Sequence, residues 1–540
     1  MSLPRPVGKT LAVRSVMEDM PLARRVDSGS VRWLVPPMLA GLLAAVAGLV
    51  GWRGMDLPAQ LYRVGLFHRE GLTLWDSQWY GGHFTLDYSV IFPPVAGVLG
   101  VQVTEVLSAA VAALAFDRLV TGHFGRRAWV GSLAFAMGTM AQVGIGQLPF
   151  LLGEALALTA CWAATGRHWR VAAALAALAS LASPLAGAFL LLAVLAWLIT
   201  SWPRLWIPLA SVAAAAAVPV VVMSVLFPGA GRMPFPSLEF AAESALFVGV
   251  FLLVPRREQA LRIGIALYVA AFAASFLLPS AVGGNAERLG ETLALPLALC
   301  LLWPFRRVVV ATVTVPLAVM QWSPAVAAFA STRSDPSEHP SYFQPMVDYV
   351  AAHDVPASRV EVVPTQLHWE VADVAPTVPL ARGWERQLDT ADNPIFYTPG
   401  ALTPSSYLAW LDDNGVRFVA LPDVRLDYAA VDEAKLLRAG VPGLRPVWHN
   451  AHWRVFAVEG APGIVSGPGR LEQLEGGNLV VDATGPGTIT VRERFTDRWV
   501  VTGGEACTLE SPDGWLDLTV PSAEVVHAQL RLVSAPDQDC

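Results

Sequence analysis

Charged side chains are scarce in this chain: they make up 15% of its residues, where a water-soluble globular protein carries about 25%. Hydrophobic residues reach 54% and the mean hydropathy is +0.48, which excludes an ordinary soluble enzyme and points to a polytopic α-helical membrane protein. Lysine is rarer still, standing only at Lys9 and Lys435, so nearly every basic group is an arginine; with the abundant alanine this reads as a high-GC bacterial coding bias. The net charge of −7 argues against nucleic acid as a partner. No Walker loop, dinucleotide glycine fingerprint, HExxH or paired CxxC occurs. No DxD stands in an outer loop, so nothing visible requires a metal, and no cofactor is implied. A secretory leader is not expected: residues 1–30 are polar, with Lys9, Arg14, Arg24 and Arg25, and the first apolar run is long enough to be a true span. Cysteine is sparse too. Cys161 and Cys300 lie in apolar runs and read as inert core thiols. Cys507 and Cys540 lie in the polar part and can pair if that part is extracytoplasmic.

What is present is a series of long apolar runs, nearly all before residue 325. The first, Trp33–Trp52, has no charge and is long enough to cross a bilayer. Arginine clusters mark the inner face: Arg24-Arg25, Arg126-Arg127, Arg167 to Arg170, Arg204, Arg256-Arg257 with Arg262, and Arg306-Arg307. Between clusters there is room for one outward and one inward helix. The uncharged stretch from Val171 to Pro203 would be about 50 Å as one helix, too long for a hydrocarbon core. Ser183-Pro184-Leu185-Ala186-Gly187 breaks it into a hairpin. Applied throughout, this predicts about eleven spans: 33–52, 103–121, 128–146, 150–166, 171–184, 186–202, 205–226, 241–254, 263–279, 290–304 and 308–323. The N-terminus is then cytoplasmic and the C-terminal part outside. Tyr88–Val101 is apolar but short and proline-interrupted, and reads as an interfacial or re-entrant helix. No internal repeat is evident, which weakens a transporter built from inverted halves.

The expected organisation is a cytoplasmic tail (1–31), a transmembrane domain (32–325), an extracytoplasmic α/β domain (326–460) and an extracytoplasmic β-sandwich (461–540). In the α/β part, helices are expected at 342–355, 405–413 and 432–439, strands at 359–364 and 416–421, and a hairpin over 446–458. The last part shows strands near 478–482, 487–493, 498–502, 515–520 and 525–533.

Asp56 follows the first span where a membrane helix meets the outer aqueous face. A carboxylate there can take the proton of an attacking hydroxyl, or be only a solvated helix end; Glu70, Asp76 and Asp87 in the same loop compete with it. Gln60 lies one helical turn on and can orient it. Outer arginines are few under the positive-inside rule. Arg63, Arg69 and Arg288 are those near spans, and each can hold phosphate oxygens or snorkel at the interface. Arg288 and Asn285 belong to Gly283-Gly284-Asn285-Ala286-Glu287-Arg288-Leu289-Gly290. Glu154, about one turn inside a span, reads as lining a polar cavity or as half of a pair with an outer-loop arginine. Trp75, Trp79, Tyr80 and His83 can stack on sugar rings or form an aromatic belt. His368-Trp369-Glu370 and Arg382-Gly383-Trp384-Glu385-Arg386-Gln387 can bind glycan, cap the membrane cavity or stabilise the fold.

Several of these segments carry a resemblance. Asp56-Leu57 with Gln60, Trp79-Tyr80-Gly81-Gly82 followed by Tyr88-Ser89 and Pro93-Pro94, and Phe495-Thr496-Asp497-Arg498-Trp499 with Asp513-Gly514-Trp515-Leu516 and Val520-Pro521 are similar to elements of the GT-C superfamily of membrane glycosyltransferases. The closer resemblance is to its bacterial YfhO-like branch. The acidic pair usual in the first loop is not evident here, and the middle α/β part matches nothing in that family. The resemblance implies a transferase on the outer face of a bacterial plasma membrane, moving sugar from a polyprenyl-phosphate donor to a cell-envelope glycan, lipid or protein, with Asp56 as base. Short cytoplasmic loops speak against a nucleotide-sugar donor. The rival readings are a lipid-glycan transporter or flippase, and a non-catalytic envelope-assembly protein.

Overall fold

A computed structural model of the chain describes residues 31–229, 231–303, 307–332, 335–353 and 357–533, with the backbone alone for 307–309. The N-terminal tail to residue 30, Arg306 and Cys540 lie outside these. Cys507 is disulfide-bonded, and Cys161 and Cys300 are free.

Helices occupy the apolar stretches: Val35–Leu49, Val101–Phe124, Trp129–Ile145, Leu148–Thr165, Trp169–Ala182, Pro184–Ser201, Trp206–Leu226, Ser237–Leu253, Gln259–Leu277, Arg288–Leu302 and Arg307–Thr332. Among the described residues, six helices are long and apolar enough to cross a membrane, or up to seven if a bent pair forms one span. Apolar helices of this kind are what a multi-pass membrane protein requires. Others are shorter than a bilayer demands. Trp169–Ala182 has 14 residues, about 21 Å at 1.5 Å per residue.

Small residues let these helices approach closely. Ala40, Ala44 and Ala47 of the first helix are buried in one cluster with Ala109, Ala112 and Ala113. A Cβ on Gly153 would lie 2.7 Å from that of Ala186. The Phe92–Leu99 helix meets the helical segment that begins at Val101 at 112°, with Gly100 at the corner at φ +87°, a conformation that a side chain disfavours. Ser89 Oγ donates to the Ala182 carbonyl at 2.6 Å and Val90 N to that of Leu181 at 2.9 Å. The end of the first loop is thus pinned to the Ser183 break, where the long apolar stretch does turn.

The stretch after the first span is not an open loop. Leu57–Glu70 is a helix with Pro58 in its first turn, and the next residues form a small hairpin, Trp75–Asp76 with His83–Phe84. A mixed sheet follows in the order Arg359–Val362, Val416–Pro422, Trp453–Val458, Leu444–His449; the first pair is parallel, the others antiparallel. Helix Pro340–His353 covers one face, and Pro404–Asp413 with Val431–Ala439 the other. The first of these cores also contains Ala59, Tyr62, Leu66, Trp79 and Tyr80. Two four-stranded sheets then face each other across a core that includes Trp75. The first loop is therefore part of both C-terminal cores.

A buried ion pair ties these parts together. Glu493 accepts from Arg359 Nη2 at 2.7 Å, Trp75 Nε1 at 2.9 Å and Ser77 Oγ at 2.8 Å. Gly81, at φ +73°, passes under Trp515, where a Cβ would come within 2.6 Å of the ring.

Candidate functional site

The chain leaves its first helix, crosses the end of Trp129–Ile145 and starts the Leu57–Glu70 helix at Asp56. Asp56 N donates to the Ile145 carbonyl at 2.9 Å. Its carboxylate does not cap the helix. It lies instead 3.8 Å from Arg288 Nη2, and the residue is 9% exposed. Burial pushes the Asp56 carboxyl up from its usual range, while the charges of Arg288, His368 and Arg63 pull it back. The result is a desolvated carboxylate under three cations. One turn on, Gln60 is fully buried and donates to Tyr88 Oη at 3.5 Å.

Two turns on, Arg63 is committed to an internal partner. It forms a buried ion pair with Glu385 of the α/β part. Its guanidinium sits 4.0 Å from the Tyr88 ring centre, 5.5 Å from Trp384 and 5.7 Å from Trp79. His83 stacks on Trp79 at 5.5 Å and brings Nε2 to 4.0 Å from Glu385. Burial and then the charge of Glu385 drive the Asp87 carboxyl well up, against the pull of Arg63. The same stretch reaches the residue before Asp56: Trp384 Nε1 donates to the Met55 carbonyl at 3.1 Å, and Tyr80 Oη to that of Glu385 at 3.0 Å. Arg53 lies 4.8 Å over the Trp369 ring. His368 is held between Glu370 at 3.2 Å and Asp427 at 3.4 Å. Burial would lower its pKa, but these two carboxylates outweigh it and raise it to about 9.

The structure brings Asp56, Gln60, Arg63 and Arg288 together, although Arg288 is remote in sequence. Asn285 lies on the Gly283–Glu287 turn that leads into Arg288. Glu70 is at the far end of its helix, about 21 Å from Asp56 along the axis, against Gly476 of the sandwich. Among the described residues Glu154 pairs with no arginine; it accepts from Gln142 Nε2 at 2.7 Å and contacts Thr292. Gln142 belongs to the helix whose last residue, Ile145, holds Asp56. Trp79 and Tyr80 are at most 1% exposed and belong to the α/β core. They form neither a membrane belt nor an open stacking platform, because the C-terminal part packs over them. Asp76 is tied to Tyr62 Oη at 2.9 Å, which leaves it to the hairpin. Among the described residues no group of three or more His, Cys, Asp or Glu side chains could hold a metal ion.

Compared with known proteins, the chain matches no family model and no curated protein. Its function is read from the site's own chemistry. The runs holding Glu385 and His368 stand out in the sequence as dense in polar and aromatic residues. Their position beside Asp56 and Arg63 had no local signal, since it depends on contacts hundreds of residues apart.

Proposed function

We propose that the protein is a GT-C-like membrane glycosyltransferase of the bacterial plasma membrane, of the YfhO-like kind, with about eleven spans. Its N-terminus is cytoplasmic, and its α/β and sandwich parts are extracytoplasmic. It moves a sugar from a polyprenyl-phosphate donor to a cell-envelope glycan, lipid or protein. The acceptor oxygen attacks the anomeric carbon from the face opposite the phosphate; the bond from that carbon to the phosphate oxygen breaks, and the acceptor proton passes to Asp56. Arg288 takes up the charge that develops on the leaving phosphate, and Gln60 lies in the same group. Glu154 with Gln142 forms polar ground behind it.

The observation that carries this reading is Asp56 itself: a buried carboxylate with no side-chain cap to make, facing one arginine at 3.8 Å. Complementation of a deletion strain with wild type and Asp56→Asn, at equal membrane levels, tests it by the envelope glycan profile. Loss of a glycan that wild type restores supports the transferase. Full restoration by Asp56→Asn removes it. The low exposure of Asp56, with Trp384 bonded to the carbonyl of its neighbour Met55, favours one rival, a non-catalytic envelope-assembly protein, and full restoration is what that rival predicts.

A further inference from the structure

The group around Arg63 is buried like a structural joint but is not satisfied like one. Arg63 and Glu385 have side chains 6% and 2% exposed. Around them Arg63 Nη1, Gln60 Oε1, Trp79 Nε1, His83 Nδ1 and Asp87 Oδ1 are buried with no hydrogen-bond partner among the described residues. A permanent core pair tends to use all its donors and acceptors, since each one left unmade is costly. Here donors and acceptors remain spare around a single guanidinium. Glu385 also sits against Asp87, whose charged form its own charge disfavours.

The chain that carries Glu385 is anchored on both sides by ion pairs, and its tip is held by single contacts: Trp384 to the Met55 carbonyl, Tyr80 Oη to the Glu385 carbonyl, and Glu385 to Arg63. Arg382 binds Asp389 at 3.0 and 2.6 Å. Arg386 binds Asp427 at 2.7 Å. Between them Gly383 lies so close to Trp79 and Tyr80 that a Cβ would come within 2.9 Å. Trp384 makes its one hydrogen bond to the Met55 carbonyl, beside Asp56. Swinging Trp384 and Glu385 outward would break those single contacts beside Asp56 and free the guanidinium of Arg63, while the Arg382–Asp389 and Arg386–Asp427 pairs can stay made.

We infer that Glu385 is an internal anion occupying the seat of a phosphate group on Arg63, and that a phosphate-bearing lipid displaces it, lifting the Trp384–Glu385 tip from Asp56. This rests on the donor assignment above and adds to it a competition within the chain. A guanidinium exchanges a carboxylate for a phosphate without losing charge pairing, because both present oxygens to the same fork. The α/β part is then a gate whose closed state is held by the charge the substrate replaces.

The test uses the full chain in lipid nanodiscs, with a polyprenyl monophosphate and the uncharged polyprenol as probes. Hydrogen exchange is read over 382–392. Glu385→Gln should bind the phosphate lipid about tenfold tighter than wild type, the factor gained when a competing closed state is removed, and its tip should exchange faster. Arg63→Met should lose binding. Glu385→Asp, which keeps the charge on a shorter arm, should fall between and serves if the glutamine variant does not fold. In wild type the phosphate lipid should speed exchange of the tip and the polyprenol should not. Equal or weaker binding by Glu385→Gln, or the same response to polyprenol, overturns the inference. If wild type and Glu385→Gln both fail to bind the phosphate lipid, the inference is overturned together with the donor assignment; if both bind it equally and tip exchange is unchanged, the donor assignment stands and the inference alone is overturned.

Discussion

Glu493 and Asp56 are both carboxylates withdrawn from water, and they are treated in opposite ways. Glu493 is wholly buried, and its two oxygens receive an arginine, a tryptophan and a serine, each within 2.9 Å. Asp56 is 9% exposed, and among the described residues its side chain receives only Arg288, at 3.8 Å. The first joins three parts of the chain and has both oxygens engaged by protein donors. The second has its charge balanced and its oxygens free. A buried acid saturated by protein donors is a joint, and one that is paired but unsaturated is open to chemistry.

The largest effect should come from breaking the joint. Glu493→Ala leaves Arg359 buried and unpaired, which costs about 3–5 kcal/mol. Thermal unfolding of the purified protein should drop sharply, with early proteolysis between residues 70 and 85. Next is Arg288→Gln, which should barely move the unfolding temperature but lower the transfer rate about 10²–10³-fold, as when one charge-stabilising donor is lost. It should also move the acid limb of the rate profile to higher pH, because the positive charge that lowers the Asp56 pKa is gone. A smaller effect follows from His368. Its folded pKa of about 9 stands above the ordinary 6.5, so its contribution is fully present below pH 6.5 and is lost as pH rises through 9. A pH series of unfolding temperatures should show that loss in wild type and not in His368→Gln. The smallest is a baseline away from both acids: Thr403→Ala removes the capping box with Ser406 and should cost about 1 kcal/mol with no change in activity.

The two regions also differ in how far the sequence discloses them. The membrane helices follow from uninterrupted apolar runs and arginine punctuation, and the Ser183 break and the Phe92–Leu99 corner could be read from proline and glycine. The C-terminal strands followed from alternation and turns. The strand Gly469–Glu475 did not, since its alternation slips by one residue at the irregularity between Leu471 and Gln473 and none of it is fully buried. The helix Leu57–Glu70 was open to either reading because it is polar outside and packs its apolar side on a domain that begins nearly 280 residues later. Asp56 stood out by position. Its pairing with Arg288 was not legible, since the two are 232 residues apart and nothing in either segment points to the other. The Arg63–Glu385 pair was out of reach, since its partners are 322 residues apart and neither sits in a spacing that points to the other.

The most direct measurement is single-turnover transfer by purified Asp56→Asn in nanodiscs, with a polyprenyl-phosphate sugar mixture extracted from the host membrane. The account predicts a fall of about 10²–10⁴ in rate with the wild-type unfolding temperature and unchanged lipid binding. Transfer at the wild-type rate by Asp56→Asn would contradict it and leave the buried acid with no catalytic part.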